Sequence, residues 1–191
     1  MNICIYGASS NIISDEYIAA VESLGKKLAQ KGHGLVFGGG ASGLMGAAAR
    51  GFSLGKGKIL GIAPRFFDVD GILYDKCTEF IYTDTMRERK KLLEEKSDAF
   101  IVTPGGVGTF DEFFEIITLK QLGRHQKAVV IFNVNGYFDE LIALMQKAFK
   151  EDMLAEKTLS LYKITDSEDE IIEYLESYKG EILSIKDTKH I

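Results

Sequence analysis

Residues 103–118 read TPGGVGTFDEFFEIIT and set one acid, Glu112, shortly after a run of glycines. The apolar stretch Ala99–Val102 leads in, and Pro104, Gly105, Gly106 and Gly108 follow. A helix-period pattern of Phe110, Phe113, Phe114 and Ile117 leads out. That order is strand, glycine loop, helix start. Glycines let backbone N–H groups approach a bound group, and a new helix terminus adds unpaired donors at the positive end of its dipole. Such a junction suits an anion, phosphate above all. Glu112 has two readings that do not exclude each other. In one, Thr109 is an N-cap and Glu112, three residues on, completes a capping box. In the other, a carboxylate in the first helical turn faces a ribose whose phosphate the loop holds, where it stabilises an oxocarbenium-like centre or activates water.

Upstream, Met86-Arg87-Glu88-Arg89-Lys90-Lys91-Leu92-Leu93 reads as a charged helix with Arg89 on its apolar stripe. Either the Arg89 stem snorkels along a surface helix, or the guanidinium points inward and needs an anionic partner. A substrate phosphate or carboxylate is the simplest such partner. Lys90 borders the same stripe.

The elements that must position these residues alternate strand and helix. Strands are expected at Asn2–Tyr6, Leu35–Phe37, Lys58–Ala63, Glu79–Tyr82, Asp98–Thr103, Lys127–Asn133 and Leu161–Ile164. Helices are expected after Ser14 and Asp15, after Gly43, over Met86–Lys96, beyond Thr109, over Tyr137–Phe149 with Leu141, Leu144, Met145 and Ala148 on one face, and from a Ser167 cap to Tyr178. The segment Phe66–Lys76 carries no assignable period. Continuous apolar strands indicate a sheet covered on both faces. The expected fold is α/β, a Rossmann-like, doubly wound parallel sheet of about seven strands, in one domain over 1–180 with a tail at 181–191. Ligands of such sheets sit beyond the carboxyl ends of the strands. The loops after the first, second and fifth strands, with Ser9, Gly39 and Gly105–Gly108, share that edge.

Composition narrows the function. A net charge of −5 and a pI of about 5.3 do not fit a general nucleic-acid binder, which needs a basic surface. Cys4 and Cys77 have no CxxC spacing, and His33, His125 and His190 are scattered, so no metal site is expected. The first residues lack the basic region of a signal peptide, and no stretch nears the ~20 apolar residues of a membrane span, so a cytoplasmic protein without membrane partners is expected. Gly38, Gly40 and Gly43 match GxGxxG, but Lys58-Ile59-Leu60-Gly61 stands where a dinucleotide site would place its ribose-binding acid.

Residues Pro104-Gly105-Gly106-Val107-Gly108-Thr109-Phe110-Asp111-Glu112 resemble the PGGxGTxxE motif of the LOG (LONELY GUY) family, the cytokinin riboside 5′-monophosphate phosphoribohydrolases. Met86-x-x-Arg89-Lys90 resembles that family's second motif. The stretches GGGASGLMG at 38–46 and LGIAP at 60–64 are also similar, and the resemblance covers roughly 2–150. It implies hydrolysis of the N-glycosidic bond of an adenine-type nucleoside 5′-monophosphate to free base and ribose 5-phosphate, without metal or organic cofactor. By motif position, Arg89 and Glu112 would be the catalytic pair. Lys90, Gly105, Gly106, Val107, Gly108, Thr109, Phe110, Asp111 and Thr118 would hold the nucleotide, joined by Ser9, Gly39 and Met86. A homodimer or larger assembly with sites near the subunit interface is implied as well.

The chain departs from the family pattern before the arginine helix, where only Thr83-Asp84-Thr85 stands. An upstream substrate-contacting Glu has no clear counterpart, Glu79 being one candidate, and the choice between AMP and N6-prenyl-AMP stays open. The main rival is a non-enzymatic nucleotide or cofactor carrier on the same fold, which would need the glycine loops but not the Arg89/Glu112 pair. Lysine decarboxylation is rejected, because nothing in the sequence specifies a Schiff-base lysine.

Overall fold

Strands buried on both faces decide the architecture. A computed structural model describes residues 1–180; the expected tail at 181–191 lies outside the described residues. The chain runs β1 (Asn2–Tyr6), α1 (Asp15–Gln30), β2 (Gly34–Phe37), α2 (Gly43–Leu54), β3 (Ile59–Pro64), β4 (Glu79–Thr83), α3 (Met86–Glu95), β5 (Ala99–Val102), α4 (Val107–Gln121), β6 (Ala128–Phe132), α5 (Asp139–Lys150), α6 (Glu156–Leu159), β7 (Lys163–Thr165) and α7 (Glu168–Ser177). All seven strands are parallel, in the order β4-β3-β2-β1-β5-β6-β7. This is the expected doubly wound sheet.

Alternation along each strand sorts the core into two layers. Ile3, Ile5, Leu35, Phe37, Ile101 and Val130 pack with α1, α2 and α7. Cys4, Tyr6, Val36, Phe100, Val102 and Ile131 pack with α3, α4 and α5. The small residues of α2 bring it close to α1: a Cβ on Gly51 would run into the Glu22 carbonyl, and Ala47, Ala48 and Ala49 are fully buried. Strand order reverses between β1 and β5, in register at Tyr6 and Val102. That switch point opens a crevice at the carboxyl edge of the sheet.

Three expected elements sit differently. The face of α4 turned inward holds Thr109, Glu112, Phe113, Ile116, Ile117 and Lys120, while Phe114 is exposed; the helix is rotated so that Glu112 reaches the crevice. In α5 the buried stripe centres on Met145, which leaves Leu144 on its exposed flank. The last strand begins at Lys163, because Leu161 and Tyr162 follow the unexpected turn of α6 and fill the core instead of pairing.

Gly51→Val should destabilise the fold by about 2–3 kcal/mol, since neither helix backbone can yield to the added atoms. A urea midpoint equal to wild type would contradict the close α1–α2 crossing.

Candidate active site

The loops that leave β1, β2 and β5 converge on a cleft of about 810 Å³, within the ~300–1,000 Å³ typical of small-molecule sites. The β5 loop is tied down from three sides. Thr103 donates its N–H and its Oγ1 hydroxyl to the Tyr6 carbonyl, both at 2.8 Å, and the Ala8 N–H donates to the Pro104 carbonyl at 3.0 Å. The Tyr137 hydroxyl donates to the Gly105 carbonyl at 2.7 Å. Helix α4 then starts with Gly106 as N-cap and no side-chain cap. Among the described residues, the N–H groups of Val107, Gly108 and Thr109 meet no acceptor. A 15-residue helix therefore presents an uncapped positive end to the cleft.

The capping box expected at Thr109 and Glu112 does not form, because the chain is already helical by Val107 and Thr109 is buried with its Oγ1 packed against Gly105. The same Thr-x-x-Glu spacing caps α3 instead, where Thr85 Oγ1 accepts from the Glu88 N–H and Glu88 accepts from the Thr85 N–H, each at 3.1 Å. That box fixes the helix carrying Arg89. Glu112 is left free for another partner.

The partner is Arg89. Its Nη1 donates to Glu112 Oε1 at 2.6 Å, and the two residues are only 6% and 9% exposed. A Cβ on Gly38 would overlap the Arg89 Nη2, so the glycine after β2 makes room for the guanidinium. Arg89 Nε has no partner among the described residues. Burial pushes the Glu112 carboxyl up, and Arg89 opposes that push without cancelling it. Beneath the pair lie Tyr6 and Cys4, whose thiol is pushed up to about 12, first by burial and then by Glu112. A thiol so held stays neutral and is no nucleophile. His125, pushed down to about 4 by burial, bonds the Ile116 carbonyl in the core.

Among the expected site residues, Ser9, Met86, Gly106, Val107, Gly108, Thr109 and Asp111 line the cleft together with Arg89 and Glu112. Gly105 does not line the cleft, and Phe110 packs into the apolar layer. Gly39 makes a turn at φ 79° against Phe80 and does not line the cleft. Lys90 and Thr118 border a separate depression with Asp111, Phe114, Glu115 and Leu119. There Lys90 pairs with Asp111 at 3.0 Å and Glu115 at 2.9 Å. Partial burial pulls its ammonium down, but hydrogen bonds to these two acids outweigh it and hold it above the usual lysine value. Glu79 is exposed at the amino end of β4, on the edge away from the cleft.

The cleft also has a wall that sequence periodicity did not reveal. Phe67, Asp70, Gly71, Ile72 and Leu73 line it from the loop between β3 and β4. The glycine loop after β2 anchors that wall: the Ala41 N–H donates to the Ile72 carbonyl at 2.9 Å, and the Tyr74 N–H donates to the Gly39 carbonyl at 2.8 Å. Its only signal in the sequence was aromatic and aspartate content without a period. Gly38 was legible as a loop glycine, not as a seat for Arg89.

Comparison with known proteins identifies the family of the chain. A family model described as "possible lysine decarboxylase" matches residues 45–175. Cytokinin riboside 5′-monophosphate phosphoribohydrolase LOG2 of Arabidopsis thaliana is 34% identical over 176 residues, 92% of this chain and 83% of that protein. The corresponding LOG protein of Oryza sativa subsp. japonica is 34% identical over 179 residues, 94% of this chain and 74% of that one. The chain belongs to the LOG family. Solved structures of similar fold include the molybdenum cofactor binding protein from Rippkaea orientalis (TM-score 0.69, 22% identity, 92% of this chain and 94% of that one). Another is the molybdenum cofactor carrier protein from Chlamydomonas reinhardtii (TM-score 0.70, 20% identity, 92% and 95%). At that identity the likeness concerns the fold alone.

For this LOG-family chain, Arg89→Met should leave Glu112 buried without its cation and destabilise the protein by about 3–5 kcal/mol at neutral pH. A carboxyl raised by burial contributes stability that is full below its unfolded value and is lost as pH rises through its folded value. The urea midpoint of Arg89→Met should therefore fall as pH climbs from the ordinary carboxyl range. The Arg89→Met/Glu112→Gln double variant should lack this slope. Parallel profiles for the two variants would contradict the pairing.

Proposed function

We propose that this chain hydrolyses the N-glycosidic bond of AMP or an N6-modified AMP, giving the free base and ribose 5-phosphate. The observation that carries this reading is the buried Arg89–Glu112 pair beside the uncapped start of α4. The open amides of α4 take the 5′-phosphate, which places the ribose over the inner face of the helix. Glu112 meets the sugar near C1′. As the C1′–N9 bond breaks, its electron pair leaves with the base and positive charge grows on the sugar ring, where a carboxylate is stabilising. Water adds to C1′ and loses a proton, and the base gains one at nitrogen. Arg89 opposes the upward push of burial on the Glu112 carboxyl and fixes its direction.

No other cation lines the cleft among the described residues, so nothing there is placed to form a Schiff base as an amino-acid decarboxylase would. A carrier would need the amides but not a buried acid beside them, and its likeness to this chain rests on fold alone. The cleft rim presents Phe67, Ile72 and Met86, which suit an apolar substituent on the base. A cytoplasmic homodimer is part of this proposal, and among the described residues no helix is long and apolar enough to cross a membrane.

Purified protein incubated with AMP and with isopentenyl-AMP should release free base. Glu112→Gln, which keeps the shape of the side chain, should slow that release by about 10²–10⁴-fold with the fold intact. Intact nucleotide throughout the wild-type reaction would refute the hydrolase and leave a binding protein.

A further inference from the structure

One peptide bond joins Gly105 to Gly106, and its orientation decides what the loop offers an anion. A trans peptide points its carbonyl and its N–H in opposite directions, and no cis bond occurs among the described residues. With the Gly105 carbonyl inward, the loop would show a partial negative charge to a phosphate. With the Gly106 N–H inward, it shows a donor. Between two glycines no Cβ resists rotation of the unit, so the backbone alone selects neither state. The selecting contact is the Tyr137 hydroxyl, which donates to the Gly105 oxygen at 2.7 Å. Gly106 lines the cleft and Tyr137 does not. The oxygen is therefore held on the Tyr137 side, and the Gly106 N–H, on the opposite side of the same peptide, has no acceptor among the described residues.

Tyr137 is itself held by the turn that follows β6. The Asn133 side chain accepts from the Phe138 N–H at 2.7 Å and donates to Asp139 at 2.8 Å. Asn135 donates to Glu16 at 2.9 Å, joining the turn to the start of α1. The Tyr137 ring stands edge-on to Tyr17, with centroids 6.1 Å apart, and next to the buried Phe138. These contacts fix where the hydroxyl can reach.

We propose that Tyr137 is a positioning residue whose hydroxyl latches the Gly105–Gly106 peptide, so that the Gly106 N–H joins those of Val107, Gly108 and Thr109 as a donor to the substrate's 5′-phosphate. The latch rests on the phosphate-binding reading above. It predicts a sharp division between binding and chemistry, because the Arg89–Glu112 pair is untouched by the change.

Tyr137→Phe keeps the ring and removes the hydroxyl. The KM for AMP and the calorimetric Kd for ribose 5-phosphate should each rise about five- to tenfold, the range of one net hydrogen bond, while kcat stays near wild type. Tyr137→Leu removes the ring as well and separates packing from hydrogen bonding. If Tyr137→Phe binds ribose 5-phosphate as wild type does, or if only Tyr137→Leu weakens binding, the latch is overturned. A fall in kcat at unchanged KM overturns it too. A wild-type protein that neither binds ribose 5-phosphate nor releases base overturns the hydrolase reading itself, which is a different result from an unaffected Tyr137→Phe.

Discussion

A buried ion pair is the constraint that the cleft is built around. Taking Arg89 and Glu112 out of water has an effective penalty of several kcal/mol per ion, and their attraction offsets it only if the geometry is held. The fold holds it from both sides. A capping box sets the start of α3, so Arg89 projects one turn in toward the sheet edge. The rotation of α4 brings Glu112 to the same point and turns Phe114 outward. Gly38 supplies the space into which the guanidinium fits. An acid in this setting is dry enough to act strongly on a nearby positive charge and paired closely enough to carry its own. That combination is what electrostatic stabilisation of a cationic sugar requires.

The glycine-rich loops look alike in sequence and divide the work in space. Two of the amides that open α2 are already used: the Leu44 and Met45 N–H groups donate to the Ala8 carbonyl at 2.8 and 3.3 Å. Gly39 and Ala41 are engaged by the wall at 72–74. The loop after β2 thus spends much of its backbone on building the cleft wall. At the head of α4 the carbonyls of Pro104 and Gly105 are the ones engaged, by Ala8 and Tyr137, and the N–H groups remain open among the described residues. Which side of a peptide the neighbouring residues occupy separates a structural loop from a binding loop.

That distinction also marks how far the sequence could be read. The alternation of short apolar runs with helical periods identified the sheet, because burial on both faces leaves a signature in every strand, as in Ile3–Tyr6 against both layers. The place of Arg89 on the apolar stripe of its helix was legible from helical phase, but phase alone did not choose between a snorkelling stem and an inward guanidinium. What could not be read was a choice between local patterns of equal merit. Thr85-x-x-Glu88 and Thr109-x-x-Glu112 have the same spacing, yet only the first is a box, since the second lies beyond a helix start that Gly106 sets. Phe67–Leu73 had no period to detect, because an irregular wall is anchored by backbone bonds to residues some thirty positions away in the chain. Lys90 and Thr118 follow the motif positions but face a neighbouring depression, a matter of helix phase at the rim.

The arrangement of donors also bears on the size of the anion. A pyrophosphate-binding Rossmann site uses the first glycine turn and the helix that follows it, with an acid at the end of the next strand for the ribose. In this chain the loop after β1 instead spends the Ala8 carbonyl on two amides at the start of α2. A run of three open amides marks the first turn of α4, and the one cation lining the cleft among the described residues is committed to Glu112. One helical turn of donors suits one phosphoryl group, and a second placed beside the Glu112 carboxylate would have no cation of its own. The same acid that makes the cleft unsuited to a diphosphate is tolerable next to a monophosphate only if a neutral sugar separates the two charges. A nucleoside 5′-monophosphate meets that requirement by its own length, which is why the glycine count alone points toward dinucleotides and the bonding of the glycines points away from them.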